Sequence, residues 1–510
     1  MKKIILILIL VLSISVGLAG CKNKGGGLFA TPKLDAPSNV ILTGYTLTWD
    51  TIDNADRYVI NVDYDDGGYI IPAVNGEFTL KEKVTLPGTY IISVKAISGS
   101  ASYLDSDLSQ SVTYYKGEGT LEDPILISSV AELESIGRGY WTDTSGETAV
   151  TVANYYKLTN DIDIEGNKFN PIGGAGDNRF EGIFDGAGFT ISNAVISDQE
   201  EGAYFGIFKG LLNASVYDLN LSGITIDLAI QGSINIGFVA GKVTNSTILN
   251  CTVDNSSLEF LSSKWTNTTD KDSSRKYIGG IAGSLETSSI VGGCSVTNTN
   301  IRVETYYSCT GGIIGHNNNC TIDMSATNNN QFESTGQEIY LGGIAGKNYG
   351  VAGGIFNSYS IDNLFVANSG TDTLEGVYRQ VGLLAGHMKS PRTKAENCYA
   401  VGEIQVNGNV ATDYVGCLGS GYDSAPLASL IYDNELSTVK VDEADAVPLT
   451  NDSGYYKSMT NVIGVSTSDM KLQATYVGFD FENTWAIATD VNNGYPTLVG
   501  EYILEVPEEE

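Results

Sequence analysis

The sequence predicts an all-β protein: a small sandwich, then a right-handed parallel β-helix with a short N-terminal capping helix. Three observations lead there. A glycine-bearing hexapeptide recurs through the second half of the chain, short apolar runs near the start alternate with period two, and the composition suits many short strands. The 510 residues include 59 Gly and 29 Tyr but only 17% charged residues, which favours strands and turns over helices. Lys and Arg total 29 against 60 Asp and Glu, a net charge of −31 that argues against a nucleic-acid partner.

Residues 1–20 carry Lys2 and Lys3, the apolar stretch Ile4 to Leu12 and small residues up to Gly20, the three-part pattern of an export signal. The run from Ile4 to Leu18 is too short for a confident membrane span. Leu18-Ala19-Gly20-Cys21 resembles the lipobox of bacterial lipoproteins. That resemblance implies cleavage before Cys21, attachment of acyl chains such as palmitate to it, and a membrane partner engaged through the anchor. Residues 21–33, with Gly25, Gly26 and Gly27, read as a flexible tether, so the rest is expected on the extracytoplasmic side of a bacterial envelope.

Residues 34–115 follow the strand period in Tyr45, Leu47, Trp49, in Tyr58, Ile60, Val62, and in Tyr90, Ile92, Val94, Ala96. Pro37, Trp49 and Leu86-Pro87-Gly88-Thr89-Tyr90 resemble a fibronectin type III module, with Tyr90 in the place of its tyrosine corner. Asp63-Tyr64-Asp65-Asp66-Gly67-Gly68 imitates a calcium loop, but Val74 stands where the bidentate Glu belongs. It reads as an acidic turn. No motif implies a cofactor, and a structural calcium has no specific motif behind it.

Residues 119–445 are the expected β-helix. Ser129-Val130-Ala131-Glu132 has capping-box spacing, and Leu133, Ile136 and Gly137 complete a short helix with a glycine stop. From Phe205 onward the repeats are Phe205-Gly206-Ile207-Phe208-Lys209-Gly210, then the hexapeptides beginning at Ile236, Ile278, Thr310, Leu341 and Val381, with a worn copy at Val415. Their first glycines are 31, 42, 32, 31, 40 and 34 residues apart, a unit near 31 with insertions. A unit this short cannot bury its own apolar face, so successive coils must stack and align like residues in columns. Two aliphatic positions flank the first glycine out of alternation, which predicts a local bulge. Asn at the ends of the second strand, in Asn250-Cys251, Asn357-Ser358 and Asn397-Cys398, predicts left-handed corners.

These repeats resemble the GLUG-repeat family of bacterial surface proteins. So do Gly119 to Ile125, Tyr156 to Ile164, Pro171 to Gly173 and Phe180 to Gly186 upstream, and Trp485 with Gly494 to Leu498 downstream, which look like a closing coil. Residues 446–510 are accordingly read as closing coils and an acidic tail. The family implies an exported, surface-displayed β-helix, often adhesin-like, and some members carry peptidase domains.

The residues offer little catalytic chemistry. His316 and His387 are 71 residues apart, which excludes a His-Glu-x-x-His zinc site, and no Gly-x-Ser-x-Gly elbow occurs. Asp161 and Asp163 are the best carboxylate pair by spacing but read as turn formers. Catalytic and metal residues are therefore expected to be none; a β-helix polysaccharide lyase or hydrolase is the enzyme alternative. The six cysteines after Cys21 read as small interior residues, because Ser358 fills the same place as Cys251, Cys294 and Cys398; Cys309 with Cys320 is the disulfide to test first.

Two sets of residues are candidates for binding. The insertion from Ser256 to Lys276 gathers Lys264, Trp265, Arg275 and Lys276 in an otherwise acidic chain, cations beside a Trp able to stack on a sugar. The column Lys242, His316, Lys347 and His387 follows the second glycine of successive repeats, spans ~19 Å at the strand spacing, and reads either as a solvated edge or as a track for an anionic glycan. The expected function is a non-catalytic, lipid-anchored bacterial surface protein with adhesin-like binding of a glycan or protein. A purely structural envelope component is the third reading.

Overall fold

The computed structural model describes residues 31–43, 45–64, 69–73, 76–80, 84, 88–143, 150–174, 178–198, 203–262, 275–369, 378–389, 392–408, 414–420, 427–449 and 462–503. The leader, Cys21, residues 65–68 of the acidic turn, Leu86-Pro87, Lys264, Trp265 and the last residues of the acidic tail lie outside them.

Near the N-terminus the period-two runs become two small antiparallel sheets. One joins Ile41–Thr43, Thr46–Thr48 and Glu77–Thr79; the other orders Tyr69–Ala73, Ala55–Tyr64, Gly88–Ser98 and Val112–Lys116. Alternation puts Tyr58, Ile60 and Val62 on one face, directly opposite Ala96, Val94 and Ile92. Both rows are buried with Leu47, Trp49 and Tyr90 in one cluster. Each such side chain contributes ~1.5–3 kcal/mol by leaving water, and no cysteine among residues 34–115 could add a covalent tie.

The capping helix forms where its signals stand, at Val130–Ser135. Ser129 Oγ accepts from Glu132 N, and the Glu132 carboxylate turns back to accept from Ser128 N at 2.9 Å, one residue earlier than the usual reciprocal bond. Gly137 ends it with φ +62°. Leu133 and Ile136 plug into the main core beside Ile125, Phe169 and Phe180, so the helix caps the first coil.

From Ile125–Ile127 to Val462–Val465 the chain is a parallel β-solenoid of about nine coils. The ladder thus runs past residue 445. One coil illustrates the rest: half-strands Arg275–Gly279 and Ala282–Glu286 carry the glycine hexapeptide, and Ile290–Gly292, Ser295–Thr297 and Asn300–Glu304 close the circuit. Each pairs in parallel with its counterpart one repeat away, as in Ile248↔Val291↔Ile322↔Ile355 and Phe260↔Val303. Columns of aliphatic residues therefore form one continuous core. Three columns of left-handed residues turn the corners: Asn213 and Asn245; Asp218, Asn250, Gly293, Met324, Asn357 and Asn397; and Asn193, Gly223, Asn255, Asn298 and Asn329. Corner amides also bond between coils, Asn245 to Asn213 and Asn329 to Asn298, both at 2.7 Å.

The expected bulge is present at the glycine hexapeptide. Ile281 N and Ala282 N both donate to Ile313 O, at 2.9 and 3.1 Å, and Ile313 N with Ile314 N repeat the pattern on Ile344 O. The kink folds the two half-strands onto each other so tightly that a Cβ on Gly279 would lie 2.0 Å from Ala282 O, and one on Gly283 2.5 Å from Ile236 N. Only glycine fits both places.

Two expectations change. Trp485 and Gly494 to Leu498 do not add a coil: Trp485–Ala486 pairs antiparallel with Thr497–Leu498, and Trp485 and Tyr495 pack with Tyr359, Tyr399 and Ile431 in a cluster separate from the interior. Alternation explains this, since Tyr399 and Ile431 point outward between inward Cys398, Ala400 and Leu430. Cys309 and Cys320 are not joined. Cys309 belongs to an aromatic cluster on the glycine face and Cys320 to the interior, and all six cysteines of the solenoid are buried free thiols. Burial pushes the Cys309 and Cys320 thiols up to about 11.

Candidate ligand groove on the glycine face

The glycine kink decides which side chains share this face. Within each first half-strand the residues two and four before the glycine point outward, giving the columns Tyr277↔Cys309↔Tyr340↔Gln380 and Arg275↔Tyr307↔Glu338↔Tyr378. The second half-strand adds Lys242↔Ser284↔His316↔Lys347↔His387. Because the glycines let the half-strands close up, the columns meet. Tyr277 stacks on His316 at 4.6 Å between centroids and 16° between planes, and the Tyr340 ring lies 5.5 Å from His387.

The result is a groove of about 640 Å³ over four coils, with Tyr307, Tyr340, Lys347 and the two imidazoles in its lining. At its rim stand the exposed residues Arg275, Tyr349 and Lys389. Lys347 is the central cation. Only 8% exposed, it donates to Tyr307 OH at 3.1 Å, and its Nζ lies 4.3 Å from the Tyr340 centroid and 5.7 Å from that of Tyr307. Among the described residues no carboxylate is within ion-pair distance of Lys347 or Lys389. The groove's own acid, Glu338, accepts from Tyr340 OH at 2.6 Å. His316 Nδ1 is buried without a hydrogen-bond partner among the described residues.

Burial, reinforced by the cation of Lys347, holds both imidazoles near pKa 3, so His316 and His387 are neutral at physiological pH. Burial also lowers Lys347 below the usual lysine range and pushes Tyr277 up to about 12. Neutral rings with a desolvated ammonium suit binding. Neither imidazole is a base poised near neutrality.

The column predicted from the repeats is therefore real in register but is a half-buried aromatic wall, not a solvated edge. Lys242 stands at its far end, paired with Glu286 at 2.9 Å, and does not line the groove. Of the insertion's cations, Arg275 joins the rim, whereas Lys276 points the other way. At 2% exposed it lies in the inward column Ile234↔Lys276↔Ser308↔Ile339↔Arg379, donates to Gly232 O and sits over the Phe260 ring. Burial lowers it to about 8. Strand alternation forbids adjacent residues from sharing a face, so Arg275 and Lys276 could not both serve an outer ligand. The tyrosines were missed. Their signal was a fixed offset before the first glycine, present in Tyr204, Tyr277, Tyr340 and Tyr414.

The carboxylate pair is occupied with turns. Asp163 Oδ1 accepts from Glu165 N at 2.8 Å and Asn193 Nδ2 at 2.9 Å, bonds that lower its pKa, and Asp161 Oδ1 accepts from Thr190 N at 2.8 Å. Among the described residues no three His, Cys, Asp or Glu side chains are grouped to hold a metal ion, and no helix is long and apolar enough to cross a membrane.

No family model matches the chain. Over 151 residues, 27% of its length, it is 35% identical to halomucin of Haloquadratum walsbyi, and over 151 residues it is 32% identical to a protein of Evansella cellulosilytica described as a Gly-rich membrane protein. The chain spans 1% and 15% of these relatives' lengths. Among solved structures an IgA1 protease aligns with 84% of this chain and 32% of its own at 15% identity and TM-score 0.37. A family 28 exopolygalacturonase of Yersinia enterocolitica aligns with 82% of this chain and 100% of its own at 9% identity and TM-score 0.23.

Proposed function

We propose that this chain is a non-catalytic, lipid-anchored protein of the bacterial cell surface, acylated at Cys21, whose GLUG-like β-solenoid binds an extracellular ligand in the manner of an adhesin. In this reading residues 34–115 are a fibronectin type III-like spacer. The two antiparallel sheets around Trp49 and Tyr58, whose rings meet edge to face at 5.3 Å, support that reading. The observation that carries the binding role is the groove itself. A chain of net charge −31 gathers Arg275, Lys347 and Lys389 on one aromatic wall, and among the described residues that line it the one acid is Glu338.

The test has two arms. Metabolic labelling with a radioactive fatty acid should mark the wild-type protein and leave Cys21→Ala unlabelled. Cells displaying the protein should then adhere to a glycan or cell array, and a triple Tyr340→Ala, Lys347→Ala, Lys389→Ala variant should adhere at least tenfold less. Steady release of unsaturated or reducing sugar from any arrayed polysaccharide would overturn the non-catalytic role, and an unlabelled wild type the anchor.

A further inference from the structure

We propose that the groove on the glycine face binds a linear acidic polysaccharide built from uronic-acid units, with Lys347 receiving a carboxylate and the tyrosine and histidine rings stacking on the sugars. This deepens the surface-binding reading and rests on it.

The first argument is the state of Lys347. A buried ammonium is expensive unless it is paired, and this one has three donors, one hydroxyl partner and two ring faces. Around it are a further cation, Lys389, and two neutral imidazoles. Glu338, the acid within reach, already receives the Tyr340 hydroxyl. A ligand carboxylate would complete a site that is otherwise electrostatically one-sided, and the aromatic surroundings would strengthen the attraction by excluding water.

The second argument concerns the shape of the ligand. The lining runs over four coils, three steps or ~14 Å at the strand spacing, along the axis of the rod. That suits a linear chain. The walls alternate ring faces with hydrogen-bonding tips, among them the unpartnered His316 Nδ1 and the side chain of Asn318. Sugar rings have the same duality, apolar C–H faces and a hydroxyl periphery, whereas a fatty chain would leave the polar tips unpaired. Charge density narrows the class further. Two cations, Lys347 and Lys389, over these coils match a sparsely charged polymer better than a densely sulfated one.

The experiment titrates the full-length protein, held in detergent micelles, with oligogalacturonates of two to six units and with their methyl esters, following heat or tyrosine fluorescence. Saturable binding that strengthens with length and falls at least tenfold on esterification is expected. Lys347→Met should weaken it at least tenfold, and Lys389→Met and Tyr349→Ala, at exposed positions, two- to fivefold each. Equal affinity for acid and ester, undiminished binding by all three variants, or no oligouronate binding by the wild type would each overturn the assignment. If adhesion of displayed cells to a neutral glycan or a protein still depends on the groove, the uronate proposal alone falls; if displayed cells adhere to nothing, the surface-binding reading falls with it.

Discussion

Two faces of the solenoid carry ladders of outward tyrosines, and they meet opposite fates. On one, Tyr359 and Tyr399 stack at 5.1 Å and 7°, Tyr495 continues the stack at 6.3 Å, and Trp485 closes over them. Tyr399 is 1% exposed and its hydroxyl accepts from Asn492 Nδ2 at 2.8 Å. On the other, Tyr340 is buried among neighbouring rings, imidazoles and cations, Tyr277 and Tyr378 are half-buried, and Tyr349 at the rim is 41% exposed. The first face is covered by the chain's own C-terminal segment, and the proposed reading gives the second, whose exposed aromatic is Tyr349 at the rim, to a charged ligand. The difference lies in the residues between the rings. Aliphatic neighbours such as Ile361, Val401 and Ile431 make a dry seam, whereas Lys347 and His387 keep a site polar.

The comparison can be broken most severely at the covered face. Trp485→Ala removes a fully buried indole and should cost ~3–5 kcal/mol, read as a lower urea midpoint with loss of near-ultraviolet dichroism. An unchanged midpoint would mean that the covering segment adds no stability. Gly311→Ala tests the kink beneath the open face. Its Cβ would lie 2.0 Å from Ile314 O, a clash with backbone that cannot move away alone, and a loss of ~1–3 kcal/mol is expected together with a weaker Tyr277–His316 stack.

Next in size is the response to acid. The unfolded chain protonates His316 and His387 near 6.5, while the folded groove, with Arg275, Lys347 and Lys389 around them, resists until about 3. The unfolded state therefore binds more protons between these values, and stability falls as pH drops from about 6.5 toward 3. Replacing both histidines with Asn should flatten that limb in denaturation series run from pH 7 to pH 4. Burial of Lys347 works in the same direction at high pH, since the folded site gives up the proton before the unfolded chain does. The smallest effect is expected of Lys347→Met without ligand, a change within ~1 kcal/mol of zero, because exchanging a buried ion for an apolar side chain of similar volume is often neutral or better. A large loss there would mean that the ammonium holds the wall together.

What the sequence disclosed follows from periodicity. Fixed glycine spacing revealed the coils, alternation revealed the interior, and Asn at the ends of the second strand marked the corners, since each is a local demand of the backbone. The groove was half legible. His316, Lys347 and His387 share one offset after the second glycine and were found; Tyr277, Tyr307 and Tyr340 needed the knowledge that the kink brings two half-strands together. Lys276 was misplaced because an insertion looks polar from end to end, although its last two residues already belong to the strand. The covering segment left the least trace. Trp485 and Gly494 to Leu498 read as a closing coil, and nothing in their order distinguishes a last turn of the rod from a cover against its wall.

That segment has one more consequence. Tyr495 donates to Asp433 Oδ2 at 2.7 Å near the last coil, yet seven residues later Tyr502 N reaches Asn250 Oδ1 at 2.8 Å. From Asn250 the corner column passes Gly293, Met324, Asn357 and Asn397 to Ser429 in five steps, ~24 Å, about the span of seven extended residues. A stack of coils ordinarily ravels from its end, one turn after another. Here the thread that would ravel is knotted back into the middle of the spool, so pulling on the tip should load half the rod at once and make it let go as a block.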